Sequence, residues 1–557
     1  MSSSSASKQK AEGVEGRRVA QGAQGRRAPD AQPTAALGSE IPERAWIIAS
    51  VVVLLAAAAL RFYALELKPL HHDEGVNGFF LTNLLRQGVY HYDPSNYHGP
   101  TLYYLTLPSV ALFGLTTFAI RAVTAAFGVA TVWLVLALRR RVGAVGALAA
   151  AALVAVSPAC VFYSRYFIHE SLFVFFTLGI VVAALRFHET GAATYLLLAS
   201  ASAAMLFATK ETAFISVGTL ALAWLVAQVW AGWAGGVRDA RGRKREAREE
   251  DGLANFTAGG LAPLYVALAV VLFAFIWVLF YSSFFTNWKG VFWDSFQAFD
   301  LWKKTGMSEF HSKPFGTYAD WLWQEEAPIL VLAVAGTIVA LLERRKNRFA
   351  VFASAWAFGL LVAYSLISYK TPWLVLSFVV PLAVAGGYGV QKLYDWGRAD
   401  RWRRGGPVAA LVVAAAALAV GTYQTIVLNF REYDNDSYPY VYSHTQRQAL
   451  ELVKEVERAA ARAGTREPGV VIASPEYWPL PWYFRDDPHA GYVGSVATYY
   501  DPKSTLMVIA RKSTNPQEDQ YQKIRPVLAA DYAEAGTYPL RPGVTLVLFE
   551  RRDIAAK

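Results

Sequence analysis

His71-His72-Asp73-Glu74 sets two imidazoles beside two carboxylates, a combination suited to proton transfer or to holding a divalent ion. In an extended segment, adjacent carboxylates point to opposite sides, so Asp73 and Glu74 are expected to have separate jobs, with Asp73 as general base. The plain alternative is a juxtamembrane turn with solvated charges. Against it stand Tyr90-His91-Tyr92-Asp93 and Tyr97-His98-Gly99-Pro100 in the same loop. Three more short segments carry related chemistry: Ser164-Arg165-Tyr166-Phe167-Ile168-His169-Glu170, Thr209-Lys210-Glu211-Thr212 and Tyr369-Lys370-Thr371-Pro372-Trp373. Arg165, Lys210 and Lys370 offer charge-assisted donors to a phosphate. Each has a structural alternative, a helix-end charge or a salt bridge. The aromatic run Tyr477 to Tyr483, with Trp478 and Trp482, suits either sugar stacking or domain packing, and packing is the stronger expectation.

Membrane helices must position these residues. Of the 557 residues, 54% are hydrophobic and 17% charged, against about a quarter charged in soluble proteins. Apolar runs of spanning length are expected at 45–63, 120–138, 144–163, 170–187, 192–209, 212–230, 261–283, 328–342, 348–366, 372–390 and 407–428. The fold class is therefore mainly α, a polytopic membrane protein of about 11 transmembrane helices. The stretch 101–117 reads as a membrane-parallel helix. With that choice the basic clusters at 139–141, 238–248, 344–346 and 398–404 fall on one side, as the positive-inside rule requires. The net charge of +10 then reflects topology rather than nucleic acid. Cys160 is the single cysteine, so no intrachain disulfide forms.

The N-terminal segment 1–43 reads as disordered and cytoplasmic, and the first span as an uncleaved anchor in a plasma membrane. The long loops 64–118 and 284–327, the short turns 164–169, 210–211 and 367–371, and the tail 430–557 lie outside, with eight of the nine histidines. Trp288, Trp293, Phe296, Phe299, Trp302, Trp321 and Trp323 mark interfacial helices. The tail combines a helical period at 444–463 with strand-like runs at 470–473, 506–510 and 544–549, the pattern of a small extracytoplasmic α/β domain. An external base and external cations suit a lipid-linked donor whose head group lies at that leaflet.

The order of these motifs resembles the polyprenyl-phosphate-sugar glycosyltransferases of GT-C type, in particular the protein O-mannosyltransferases (glycosyltransferase family 39) and the lipid A aminoarabinose transferases. Those families carry an Asp-Glu pair in the first external loop, matched by Asp73-Glu74. A His-Pro-Pro or Lys-Pro-Pro segment follows, matched by His98-Gly99-Pro100 before Thr101-Leu102-Tyr103-Tyr104. Next comes a Ser-Arg-Tyr turn ending in an acid, matched by Ser164 to Glu170. The resemblance covers roughly 45–390 and is nearest to an archaeal and bacterial branch. Gly99 replaces a proline, Glu170 stands where Asp is common, and the tail lacks the sugar-binding repeats of eukaryotic mannosyltransferases.

The resemblance implies an inverting single displacement. Asp73 is the base, with Glu74 and Glu170 as further catalytic carboxylates. Arg165, Lys210 and Lys370 bind the donor phosphate. His71, His72 and His98 are candidate ligands for a divalent ion (Mn²⁺, Mg²⁺ or Zn²⁺). Tyr369, Trp373, Trp478 and Trp482 are candidates for acceptor or sugar contact. The implied partners are a polyprenyl-phosphate-linked sugar, the lipid bilayer and a protein, lipid or glycan acceptor, with no nucleic acid. The competing classes are a lipid-linked sugar transporter or flippase, which would place ionisable residues at the bilayer midplane, and a non-catalytic subunit of a surface-glycan assembly system.

Overall fold

The computed structural model describes residues 41–96, 98–233, 263–306, 312–343, 347–396, 405–496 and 505–556. The expected disordered N-terminus, as far as residue 40, and the basic clusters at 238–248, 344–346 and 398–404 lie outside the described residues. The helices in chain order are α1 (Glu43–Phe62), α2 (His72–Gln87), α3 (Thr101–Phe113), α4 (Thr117–Leu136), α5 (Ala144–Val156), α6 (Pro158–Ser164), α7 (Glu170–Thr190), α8 (Ala193–Phe207), α9 (Ala213–Trp233) and α10 (Pro263–Tyr281). They continue with α11 (Ser295–Gly306), α12 (Thr317–Glu325), α13 (Ala327–Leu342), α14 (Arg348–Leu366), α15 (Leu376–Trp396) and α16 (Gly405–Ile426).

Every expected apolar run forms helix, but the exact count of eleven crossings is not confirmed. Among the described residues, eight helices are long and apolar enough to cross a membrane, or up to ten if each of two bent pairs is one span. The run at 192–209 forms the 15-residue α8, about 22 Å at 1.5 Å per residue, short of a ~30 Å hydrocarbon core. The 13-residue α3 is shorter still. Both bends have a local cause. Pro158 opens α6 after Ser157, and the α5–α6 axes turn by 55°; α12 and α13 turn by 110° at Glu326. Glu326 ties the two breaks together, accepting from Ser157 Oγ at 2.6 Å and from Ala159 N at 2.8 Å. Those bonds satisfy groups that an unbroken helix would have paired internally.

The main helical core forms where small residues let backbones approach. A Cβ on Gly336 would meet the Ala385 carbonyl at 2.0 Å, and one on Gly387 the Gly146 carbonyl at 2.3 Å. Aromatic side chains of the 284–306 region, Trp288, Phe292, Trp293 and Phe296, are exposed, as interfacial residues would be.

The tail builds one five-stranded sheet from β1 (Val470–Ala473), β2 (Gly491–Val493), β3 (Met507–Lys512), β4 (Tyr532–Arg541) and β5 (Val544–Arg551), in the order β2-β1-β3-β5-β4. β1 pairs in parallel with β2 and β3, whereas β5 pairs antiparallel with β3 and β4. Helices α17 (Ala449–Ala463) and α18 (Gln520–Leu528) cover it. The expected helix and three strands appear; β2 and β4 are additional. β2 is only three residues long. β4 carries Gly536 and Pro539, and its register shifts at both places, so it lacks a clean alternation.

Candidate active site

α2 begins where α1 has just ended, and its first turn holds the acidic pair. His71 caps it: Nδ1 accepts from Asp73 N at 3.1 Å, and Glu74 Oε2 accepts from His71 N at 2.9 Å, a reciprocal capping box. Asp73 and Glu74 thus lie in a helical turn, not in the extended segment expected from sequence. They still face different surroundings. Glu74 is fully buried against Arg121, with Nε to Oε1 and Nη2 to Oε2 both at 2.7 Å, and it also accepts from Phe167 N at 2.9 Å. Burial alone would raise its pKa, but the Arg121 charge and these hydrogen bonds hold it below the usual carboxylate range. Glu74 does not face the cavity described next.

That cavity, about 630 Å³, is lined by His71, His72, Asp73, His98, Glu170 and Lys210, and by Tyr369 and Trp373 from the 367–375 segment. Four carboxylates face it among the described residues: Asp73, Glu170, Glu211 and Glu476. Three have a base in contact. Glu170 lies 2.5 Å from Lys210 Nζ, Glu211 2.9 Å from His98 Nδ1, and Glu476 pairs with Arg541. Asp73 has only the His71 ring, 4.0 Å away. That ring is neutral: Nδ1 accepts from Asp73 N, Nε2 donates to Tyr442 O at 3.2 Å, and burial keeps the imidazole below its ordinary pKa. Asp73 is also 40% exposed at its side chain, the most open of these four except for Glu476 at 41%.

Lys210 is buried, yet Glu170 and Glu211 outweigh that burial and raise its pKa, so it stays cationic. Arg165 is placed elsewhere. Its guanidinium donates to the carbonyls of Leu60, Arg61, Tyr63 and Ala64 and so closes the C-terminal end of α1. Lys370 is likewise turned from the cavity, donating to Ile367 O at 2.6 Å and Lys313 O at 3.1 Å. Basic residues at helix ends find free carbonyls close by, and sequence type alone does not exclude that.

The three candidate metal-binding histidines are separately engaged. His71 uses both ring nitrogens as described, His72 Nδ1 accepts from Arg541 Nη1 at 3.1 Å, and His98 lies beside Glu211. Among the described residues no group of three His, Cys, Asp or Glu side chains is placed to hold a metal ion.

Trp478 and Trp482 pack on α2 rather than lining the cavity. A Cβ on Gly75 would meet Pro479 Cβ at 2.6 Å, and one on Gly78 would meet the Trp482 ring at 2.6 Å. Tyr483 Oη accepts from Leu70 N at 2.9 Å, and Trp482 Nε1 donates to Thr117 Oγ1 at 3.3 Å.

Sequence reasoning missed Asn77, Glu476 and Arg541. Asn77 sits one turn after Asp73 on the cavity wall, fixed by its bond to Phe167 O at 2.9 Å and by Tyr103 Oη at 3.0 Å. Its i, i+4 spacing from Asp73 was the available signal. Gly99 was seen only as a departure from a proline motif. A Cβ there would lie 2.0 Å from the Ala208 carbonyl, so the loop before α3 needs glycine to reach the α8–α9 turn.

Residues 97–235 match the family model described as dolichyl-phosphate-mannose-protein mannosyltransferase. The fold is similar to that of ArnT from Cupriavidus metallidurans in the apo state, with TM-score 0.62 at 15% identity over 92% of this chain and 99% of that one. The fold is that of the GT-C glycosyltransferases. A second GT-C structure, the same ArnT bound to undecaprenyl phosphate, aligns with TM-score 0.55 at 14% identity, covering 91% of this chain and 98% of that one. Archaeal oligosaccharyltransferase AglB from Archaeoglobus fulgidus, in complex with an inhibitory peptide and a dolichol-phosphate, gives TM-score 0.53 at 14% identity, covering 81% of this chain and 64% of that one. No curated protein sequence matches the chain. The GT-C fold and its apolar helices make this a multi-pass membrane protein.

Proposed function

We propose that this chain moves a sugar from a polyprenyl-phosphate carrier to an acceptor hydroxyl, with inversion, in the cavity around Asp73. The observation that carries the reading is the setting of Asp73: among the described residues it is the one cavity carboxylate without a basic side chain closer than 4.0 Å. A carboxylate left free beside a neutral imidazole can accept a proton. Its setting in a GT-C fold supports sugar transfer over transport, as does the clustering of ionisable groups at helix ends and loops.

In this reading Asp73 takes the acceptor's hydroxyl proton as the oxygen bonds to the anomeric carbon. The bond from that carbon to the carrier phosphate breaks, and its electron pair stays on the phosphate. Lys210, the one expected phosphate cation on the cavity wall, offsets the charge that develops there. The cavity opens on the extracytoplasmic side of a plasma membrane, the N-terminus is cytoplasmic, and the acceptor is a protein, lipid or glycan.

The test is Asp73→Asn, assayed in proteoliposomes for transfer from a polyprenyl-phosphate sugar. General-base catalysis is worth about 10²–10⁴-fold, so the variant should lose at least a hundredfold in rate while keeping its thermal unfolding profile. Transfer at the wild-type rate would overturn the assignment.

A further inference from the structure

The tail does more than cover the membrane helices, because it supplies part of the cavity wall through Tyr442, Ser443, Glu476, Arg541, Pro542 and Val544. Arg541 ends β4 and is held opposite Val544 across a tight hairpin, which Gly543 permits with φ +76°. The residue is only 6% exposed, so its direction is set by packing. One edge of the guanidinium donates to Glu476, and Nη1 donates to His72 Nδ1 at 3.1 Å. His72 is therefore a neutral acceptor on that nitrogen, and burial holds its pKa down at about 4.

Compare the other buried cations. Arg121 spends all five N–H donors on Glu74 and three carbonyls. Arg165 and Lys370 are turned toward carbonyls, and Lys210 is locked on a buried Glu170. Arg541 differs in its partner. Glu476 is 41% exposed at the side chain, so this carboxylate can return to water at little cost. Two partners also leave part of the five-donor fork unspent.

We propose that Arg541 is a ligand of the carrier phosphate, reaching it from the C-terminal sheet, and that Glu476 is the counter-ion this phosphate displaces. The assignment rests on the polyprenyl-phosphate reading and names a binding residue for it. A planar guanidinium matches two phosphate oxygens at once. It also gains on the product side, since the sugar-linked phosphodiester carries one negative charge and the released monoester close to two. Arg541 and Lys210 then approach the phosphate from different elements, one on the sheet and one at the α8–α9 turn.

The experiment measures binding of undecaprenyl phosphate and of undecaprenol to the purified full-length protein in detergent. Wild type should prefer the phosphate. Arg541→Gln should bind the phosphate about 10–100-fold more weakly, the loss of a charged hydrogen-bonded contact, with the alcohol unchanged. Glu476→Gln should bind the phosphate as tightly as wild type or tighter. Arg541→Lys, which keeps the charge without the fork, should fall between and serves if the glutamine variant does not fold. Undiminished phosphate binding by Arg541→Gln would overturn the proposal. So would equal losses for Arg541→Gln and Glu476→Gln toward both lipids, which would make the pair a structural bridge. Phosphate binding and sugar transfer are measured separately on the wild-type protein. Protein that shows Arg541-dependent phosphate selectivity but transfers no sugar would therefore refute the reaction and retain the ligand.

Discussion

Glu74→Gln separates the two adjacent acids more sharply than any change to Asp73. Arg121 and Glu74 are both completely buried, with two contacts of 2.7 Å between them. The remaining Arg121 donors reach the carbonyls of Leu65 and Lys68 at 2.9 Å and of Pro69 at 3.0 Å, so the pair fastens the whole connection from α1 to α2. An amide at position 74 must turn an N–H toward a donor, whichever way it flips, and it leaves the guanidinium buried without a counter-charge. Breaking a buried pair from one side costs about 3–5 kcal/mol, a large share of the ~5–15 kcal/mol that holds a typical protein folded. The measurement is thermal or SDS-induced unfolding followed by tryptophan emission, with transfer assayed per folded molecule. Glu74→Gln should unfold far more readily, yet its folded fraction should transfer sugar within about tenfold of wild type, whereas Asp73→Asn should show the reverse, a loss set by general-base catalysis. A Glu74→Gln protein with an unchanged unfolding profile and no transfer would refute the structural role given to Glu74. The pair also has an acid signature. Because Glu74 titrates below the usual carboxylate range, its stabilisation is present at neutral pH and fades as pH drops through that lowered pKa.

Other outcomes follow from the same geometry. Gly75→Ala would set a Cβ 2.6–2.7 Å from Pro479, an overpacking worth about 1–3 kcal/mol, and should speed protease cleavage within the tail; an unchanged digestion rate would contradict the contact. Lys210→Met should cut transfer at low donor concentration by at least tenfold, while Glu170→Gln, which frees the ammonium, should cost much less; equal losses would mean that the pair is purely structural. His72 stays neutral in the fold with a pKa near 4, against about 6.5 when unfolded, so its contribution is full above pH 6.5 and is lost as pH falls toward 4. Melting of wild type should accordingly decline faster over that window than melting of His72→Gln, and parallel curves would refute the assignment.

The membrane helices were legible because a spanning helix needs a long apolar run and little else. That rule thins out in the short α8 and the two bent pairs, where length alone does not fix the number of crossings. The position of Asp73 on the cavity wall was legible from its type and its place after the first span. Arg165 and Lys370 turn toward carbonyls and away from the cavity, which a sequence does not show, since it gives a cation but not the way it turns. Arg541 was invisible for another reason: 468 positions separate it from Asp73, and nothing in local patterning brings a hairpin of the tail to the first loop.

That separation also bears on biosynthesis. Chain synthesis delivers α2 long before the β4–β5 hairpin, and the proline and tryptophan that wedge against Gly75 and Gly78 also follow the membrane helices. Membrane insertion can therefore finish while the first loop still lacks its clamp, so a newly inserted chain would gain its full pocket only once the tail has been made and folded. Truncation after α16 should leave every membrane helix among the described residues in place around an unfinished cavity.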